Sequence, residues 1–521
     1  MTLVAQLRNL PPGTKQLVRV DGVEVLLCNV DGHVSALHPK CTHYGAPLVN
    51  GVLNGHRLVC PWHHACFDAR TGRHLDAPGC DALRSYPVDV RGGDVYVDVP
   101  SEVGDGQHPN PMVQGGEPAE LPYVVVGGGP AGQHAVEGMR QGGYAGPITL
   151  VTAEAHLPYD RTQVSKGFLS GERPEQKMLL RDRAFYDAHR VEVLLGKRVA
   201  RVDAAAHTLH FTDGKRLAYA KACIATGSTP RQLDVPGAQL PAIYALRTWE
   251  DAEAIRSAAG KGKKAVVIGS SFIGLESAMV LAKLGCKVTV VSPEEVPFGK
   301  TFGRRIGQTI RGWQEAAGVD FALGEEVVGF EGVRKVTGVR LKSGKTLPAS
   351  FVVVGIGVTP NSDLIDGIAP GEDGGIRVNA HQYAGHDVYV AGDIASAPQA
   401  LDGAHARIEH WRVAAQQGTV AGNHMAGAER SLMSVPFFWT NQAGKNLRYA
   451  GHHTRTDTIV FDGMPEEGPF IAYYIEGDRV AAVLGHGRDQ DLAAIHELMW
   501  LNELPTAGEL DPGADWVGML G

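Results

Sequence analysis

The run YVVVGGGPAGQHAVEGMRQGGYAGPITLV, residues 123–151, reads as strand, glycine turn, helix and second strand. Four apolar residues lead into Gly127-Gly128-Gly129-Pro130-Ala131-Gly132, a G-x-G-x-x-G that opens a helix. Glycines at this spacing let the backbone approach a pyrophosphate, which then sits at the positive end of the helix. Gly127, Gly129, Ala131 and Gly132 are therefore candidate dinucleotide contacts. Glu154 follows the next strand, about 20 residues after the last glycine, where a carboxylate can accept ribose hydroxyls. A second such unit, KAVVIGSSFIGLESAMVLAKLGCKVTVVS, spans residues 264–292. Its candidate contacts are Gly269, Ser271, Phe272, Ile273 and Gly274. Ser271 stands where the pattern has its middle glycine, so a side chain intrudes where phosphate must approach, although its hydroxyl can donate. Glu294, just past the following strand, favours the free 2′-hydroxyl of NADH over a 2′-phosphate. Lys300 and Arg304 lie close enough in sequence to keep NADPH open.

Working outward, 521 residues are too many for one core. Residues 1–100 read as short strands separated by DG, NG and GG turns, an all-β pattern. Residues 101–120 are rich in Pro, Gly and polar residues and read as an exposed linker. The expected division is 1–100; linker 101–120; 121–245 with 371–430 as one dinucleotide-binding domain; 246–370 as a second; and 431–521 as a small C-terminal α+β domain. Net charge is −8, and the first 100 residues balance nine Lys/Arg against nine Asp/Glu. Nothing here suggests nucleic-acid binding or a basic membrane anchor. The start, MTLVAQLRNLPPG, does not read as a signal peptide, and no apolar run is long enough to span a bilayer. Seven cysteines do not make a secreted disulfide framework, so the chain reads as cytoplasmic.

Two of those cysteines belong to a metal motif. Cys41-Thr-His43 is followed, after sixteen intervening residues, by Cys60-Pro-Trp-His63. In a Rieske [2Fe-2S] centre, two cysteines hold one iron and two histidines the other. A Cys₂His₂ zinc site uses the same ligands on one ion. Zinc fingers usually gather both cysteines in one element, whereas here each loop brings one of each, which suits a cluster held between loops. The segment resembles Rieske-type ferredoxins. Cys66 and Cys80 do not match the spacing of a bracing disulfide and read as free thiols.

LPYDRTQVSKGFL, ATGSTPR, VYVAGDIA, IEHWRVAAQQGTVAGN and FFWTNQ follow in that order. From Leu121 onward the chain resembles the ferredoxin reductase and apoptosis-inducing-factor flavoproteins, and with the first 100 residues it resembles their Rieske-bearing branch. The resemblance implies a multidomain fold: an all-β Rieske domain, α/β domains for FAD and for NAD, and the C-terminal domain. It implies that Arg161 and Lys166 lie along the flavin, the lysine near its reactive edge. Val199 would meet the adenine through its backbone, Thr226 and Gly227 would lie by the pyrophosphate, and Arg231 would help hold FAD. Asp393 would bind the ribityl chain, Glu409 and His410 would flank the isoalloxazine, Trp439 would pack on the nicotinamide side, and Gly357 would approach the nicotinamide. Lys166, Glu409 and Trp439 are the catalytic candidates. Pro158–Lys166 contain no cysteine, so thiol chemistry at the flavin is not expected.

NADH gives two electrons as a hydride, a Rieske cluster takes one at a time, and FAD can do both. The expected order is NADH, FAD, cluster, then a protein or small-molecule acceptor such as an oxygenase. The alternative is a redox-responsive signalling protein with slow NADH oxidation, and a homodimer is compatible with either. Ala65 and Phe67 offer no hydroxyl to the cluster sulfurs, so fewer donors stabilise its reduced form. A redox titration is expected to give a potential near the low end of the Rieske range, about −150 mV; a value well above zero contradicts the reasoning.

Overall fold

The computed structural model describes residues 1–100, 104 and 107–520. Among the described residues, the N-terminal unit is built from three small antiparallel sheets of its own and a two-stranded one shared with Gln107–Pro109. One of them orders Val52–Asn54, Arg57–Val59, Cys66–Asp68 and His74–Asp76 as a meander. The two Cys/His loops leave this framework at Cys41, after the strand His33–Leu37, and at Cys60, after Arg57–Val59. Cys41, Cys60, Ala65 and Phe67 are buried with Leu26, Leu37 and Leu58 in one apolar core, so the loops rest on packed side chains.

The first nucleotide-binding unit has a parallel sheet of order Val191–Leu194, Ile148–Val151, Tyr123–Val126, Lys221–Ile224 and Val388–Val390, with Tyr383–Gly385 antiparallel at the edge. Its near-continuous Val/Ile runs fit strands covered on both faces. The helices Pro130–Gln141 and Trp411–Met425 meet almost backbone to backbone. A Cβ on Gly418 would come within 2.1 Å of the Ala131 carbonyl oxygen, and one on Gly422 within 2.1 Å of that of Ala135. The main sheet of the second unit is fully parallel, in the order Ile243–Ala245, Phe351–Val354, Lys264–Ile268, Lys287–Ser292 and Val319–Leu323, and a small antiparallel sheet of Val327–Gly332, Val336–Leu341 and Thr346–Pro348 accompanies it. The C-terminal unit is a five-stranded antiparallel sheet carrying the helix Asp489–Leu501.

Three sequence expectations need correction. Residues 243–245 fall in the second unit's sheet, ahead of the expected boundary after 245. Ile365–Asp366 pairs with Val199–Asp203 of the first unit, ahead of the boundary at 371. Both are strands of two or three residues, too short to show periodicity. Of the expected linker, residues 101–103 and 105–106 lie outside the described residues, and 107–120 are not simply an exposed tether either. Gln107–Pro109 pairs with Asp81–Leu83, and Asn110, 4% exposed, accepts from the His74 amide. That segment docks through hydrogen bonds rather than an apolar pattern.

The N-terminal unit is joined to the others through a continuous interior. Val52, Val59 and Cys66 share one apolar core with Phe437, Ala450, Ile471 and Leu492 of the C-terminal unit. Buried ion pairs frame the joint. Arg57 donates to Glu497 at 2.7 Å, Arg412 to Asp76 at 2.8 Å, and Arg181 to both Asp81 and Glu137. Glu497 is fully buried, which works to raise its carboxyl, but His496 and Arg57 outweigh this and hold it far below the usual range. A carboxyl lowered on folding adds stability above its unfolded value of about 4.3, and that stability is lost as pH falls further. Replacing Glu497 with Ala strands Arg57 and is expected to cost about 3–5 kcal/mol in chemical denaturation. The deficit relative to wild type should shrink on acidification below about pH 4.

Candidate functional site

A cleft of about 1110 Å³ runs between the two nucleotide-binding units and ends against the C-terminal sheet. The glycines of the first fingerprint divide their labour. A Cβ on Gly127 (φ +129°) would sit 2.1 Å from the Ala225 carbonyl oxygen, and one on Gly132 would sit 1.9 Å from that of Gly127. Those two glycines allow strand, turn and helix to touch. A Cβ on Gly129 would meet nothing within 4 Å. Gly129 caps the helix Pro130–Gln141 and lines the cleft, leaving open space at a helix N-terminus. The second fingerprint repeats this packing, with Gly269 against Gly355 and Gly274 against Gly269. Ser271 takes the capping position without a side-chain capping bond and faces the cleft.

Most sequence candidates line this cleft. Gly127, Gly129, Ala131, Glu154 and Val199 lie on the first unit's side, with Arg161, Lys166, Thr226 and Gly227 deeper along it. Ser271, Phe272, Ile273 and Gly357 line the second unit's side, and Asp393, Glu409, His410 and Trp439 close the end. Glu154 is engaged on both oxygens, by Arg161 at 2.5 Å and the Tyr159 hydroxyl at 2.6 Å. Gly132, Gly269 and Gly274 stand behind the cleft as packing positions. Two candidates are not brought to it. Arg231 is turned onto the Val358 carbonyl, and Glu294 lies beside Lys300 at 3.8 Å, both outside the lining.

Several cleft residues carried no sequence signal. Arg247 donates to Asp393 at 2.7 Å, and Ser228 donates to the same oxygen at 2.6 Å. Burial works to raise the Asp393 carboxyl, but Arg247, Ser228 and Arg161 together hold it below the usual range. Glu276, 3% exposed, accepts from Lys166 Nζ at 2.7 Å, Ser165 at 2.6 Å and Thr440 at 2.7 Å, and so ties three units together. His410 stacks on Phe438 at 4.5 Å, and burial pushes its imidazole down to about 4, so it is neutral at pH 7. His452 also lines the cleft.

The Cys/His loops converge beside Trp439. His43 Nδ1 and His63 Nδ1 lie 3.1 Å apart, so both lone-pair edges point at one place. The Cys41 and Cys60 thiols are within hydrogen-bonding reach of each other. Backbone amides of His43 and Tyr44 donate to the Cys41 sulfur, and those of Trp62 and His63 to that of Cys60. His63 packs on Trp439 with ring centres 4.2 Å apart, and His43 meets the same indole at 5.8 Å. Cys66 and Cys80 form no disulfide with each other or with any other cysteine among the described residues.

Residues 1–87 match the Rieske [2Fe-2S] domain, 121–418 the pyridine nucleotide-disulphide oxidoreductase family, and 437–515 the reductase C-terminal domain. Apoptosis-inducing factor 3 of Homo sapiens is 35% identical over 95% of this chain and 83% of its own length. The chain belongs to the Rieske-bearing branch of the apoptosis-inducing-factor and ferredoxin reductase flavoproteins. The ferredoxin–NAD(+) reductase component of the anthranilate 1,2-dioxygenase system of Burkholderia cepacia is 33% identical over 75% of this chain and 97% of its own. The putidaredoxin reductase–putidaredoxin complex has a chain matching with TM-score 0.72 and 29% identity, covering 77% of this chain and 98% of that one.

The protein is thus an FAD-dependent NAD(P)H oxidoreductase with a [2Fe-2S] domain, and its own residues fit those groups. Gly129 leaves the cradle that a pyrophosphate needs. Two thiols with paired amide donors face two imidazole edges, a donor set with one sulfur and one nitrogen from each loop. Among the described residues, no helix is long and apolar enough to cross a membrane. Filling the cradle with Gly129→Leu is expected to abolish flavin absorbance per chain while far-UV circular dichroism is kept. Gly132→Ala, which drives a Cβ into a backbone oxygen, should instead lower folded yield; equal behaviour of the two variants contradicts the division of roles.

Proposed function

We propose that this reductase takes electrons from NADH and passes them through FAD to its own Rieske cluster, and from there to a separate acceptor such as an oxygenase. The observation that carries this reading is the position of Trp439. Its indole both lines the end of the cleft and contacts His63, so one side chain borders both sites. FAD, when bound, accepts a hydride from NADH and releases electrons singly, and the cluster takes one at a time.

The chain's own residues have distinct parts in this reading. Lys166 supplies a cation at the flavin edge, and Glu276 fixes its reach and balances its charge when the flavin is oxidised. Arg161 and Arg247 place two more cations along the cleft, anchored by Glu154 and Asp393. Cations there favour the anionic reduced flavin. Neutral His410, backed by Phe438, and Trp439 form an aromatic wall that keeps water from the end of the cleft. Gly357, Ile273 and Ser271 are the proposed nicotinamide-side contacts. Glu294 is the proposed discriminator for NADH, acting from beyond the cleft lining at the end of the strand Lys287–Ser292.

Anaerobic stopped-flow mixing with NADH tests the relay. Flavin bleaching followed by a reduced-Rieske EPR signal at the turnover rate is the expected result. Bleaching with a cluster that stays oxidised defeats the relay and favours a signalling role. Ser271→Gly should tighten NADH binding, because the backbone can then approach phosphate as it does at Gly129; looser binding means that the serine hydroxyl is itself a phosphate donor.

A further inference from the structure

The two cluster loops are near copies of one another, and one of them departs from the shared pattern. In the first, the Cys41 amide donates to the Ala46 carbonyl and the Gly45 amide to the Cys41 carbonyl, both at 2.9 Å. In the second, the Cys60 amide donates to the Ala65 carbonyl at 2.9 Å and the His64 amide to the Cys60 carbonyl at 3.2 Å. The fifth residue of each loop is left-handed: Gly45 has φ +76° and His64 has φ +56°. Glycine adopts this conformation without strain, whereas any side chain there works against the backbone. The second loop therefore carries histidine where its twin carries glycine.

The imidazole of His64 has a destination outside its own domain. It is fully buried and stacks on Phe437 with ring centres 4.0 Å apart, with His496 edge-on at 4.8 Å. Among the described residues neither ring nitrogen has a hydrogen-bond partner, and the contacts that hold the ring are the packed aromatic ones. Phe437 and Trp439 lie two apart on the strand Phe437–Gln442 and point to the same face. Successive histidines thus seat on alternate rings of one strand, His63 on Trp439 and His64 on Phe437. The His64 carbonyl accepts from Arg412 Nη2 at 3.3 Å, and Arg412 is itself buried and paired with Asp76.

We infer that His64 is a positioning residue that locks the second cluster loop onto the C-terminal strand, and so sets the separation across which an electron passes from flavin to cluster. It makes and breaks no bond: one electron leaves the flavin, one enters the cluster, and NADH supplies both electrons of a turnover. The inference rests on the relay proposed above and concerns only how the relay is held.

The test compares His64→Gly, His64→Phe and Phe437→Leu in the holoprotein. His64→Gly relieves the backbone and removes the ring. His64→Phe keeps a ring in place, and Phe437→Leu removes the partner ring without touching the cluster loop. In His64→Gly and Phe437→Leu, cluster reduction is expected to slow about tenfold or more, since small misplacements carry large rate losses. NADH should still bleach the flavin at the wild-type rate, and the cluster's EPR g-values should be unchanged. His64→Phe should stay close to wild type.

Hydrogen–deuterium exchange of residues 60–66 in the oxidised protein, without NADH, gives a second readout. Exchange should rise in His64→Gly and Phe437→Leu and not in His64→Phe. Wild-type cluster reduction or unchanged exchange in Phe437→Leu overturns the inference, as does slowing of His64→Phe equal to that of His64→Gly. If His64→Gly does not assemble its cluster, the Phe437→Leu comparison decides alone. If the wild-type cluster never accepts an electron from the flavin, the relay itself fails, while the exchange data still decide whether His64 locks the joint.

Discussion

A buried guanidinium must have its donors met, because leaving one stranded away from water is costly. Arg412 is 1% exposed and meets that demand with groups from separate parts of the chain. Its donors reach the Ala77 and His64 carbonyls and the Asp76 carboxylate of the N-terminal unit, and the Val435 carbonyl at the entry to the C-terminal sheet. Arg412 itself sits two residues past His410, at the head of the helix Trp411–Met425 that packs on the first fingerprint helix. Flavin-side helix, cluster loop and C-terminal strand are thereby held by one side chain. The alternative arrangements open to a tethered domain would leave this charge unpaired, so the joint is specific even where each bond adds little net stability.

The sequence is legible where chemistry is local and spaced. G-x-G-x-x-G after Tyr123–Val126 and the paired C-x-H and C-x-x-H loops can be read because their function needs fixed residue types at fixed intervals. The second fingerprint is legible despite Ser271, because Gly269 and Gly274 preserve the two backbone contacts that the turn requires. What escapes is whatever depends on distant segments meeting. Arg57 and Glu497 are 440 residues apart, and neither has a local pattern that marks it as buried. Arg247 directly precedes the cap of the helix Trp249–Ala258, yet it leads the groups that hold the Asp393 carboxyl below its usual range against burial. Arg231, implied by the resemblance, is turned onto the Val358 carbonyl, and Glu294, expected from its place after a strand, lies beside Lys300 outside the cleft lining. His64 left one trace that could have been found: a histidine at the loop position that its twin fills with glycine.

Joining the Rieske domain to the reductase changes what the interface must accomplish. Separate proteins must bind tightly enough to meet and loosely enough to part, which argues for a small, largely polar contact. Here the partners are covalently linked, and the tether already raises their effective concentration. The joint can therefore be built like a protein interior, with Val52, Val59 and Cys66 sharing a core with Phe437 and Ile471. Buried charges such as Glu497 and Arg412 would be unsuited to a contact that must repeatedly open to water, since each opening would resolvate them and each closing would strip that water away again. Their presence argues that this contact was shaped to stay closed. In that case a joint that stays closed does not carry electrons outward by movement of the whole domain. In the relay proposed above, the acceptor then has to come to the surface of the assembled chain rather than exchange places with the Rieske domain at Trp439.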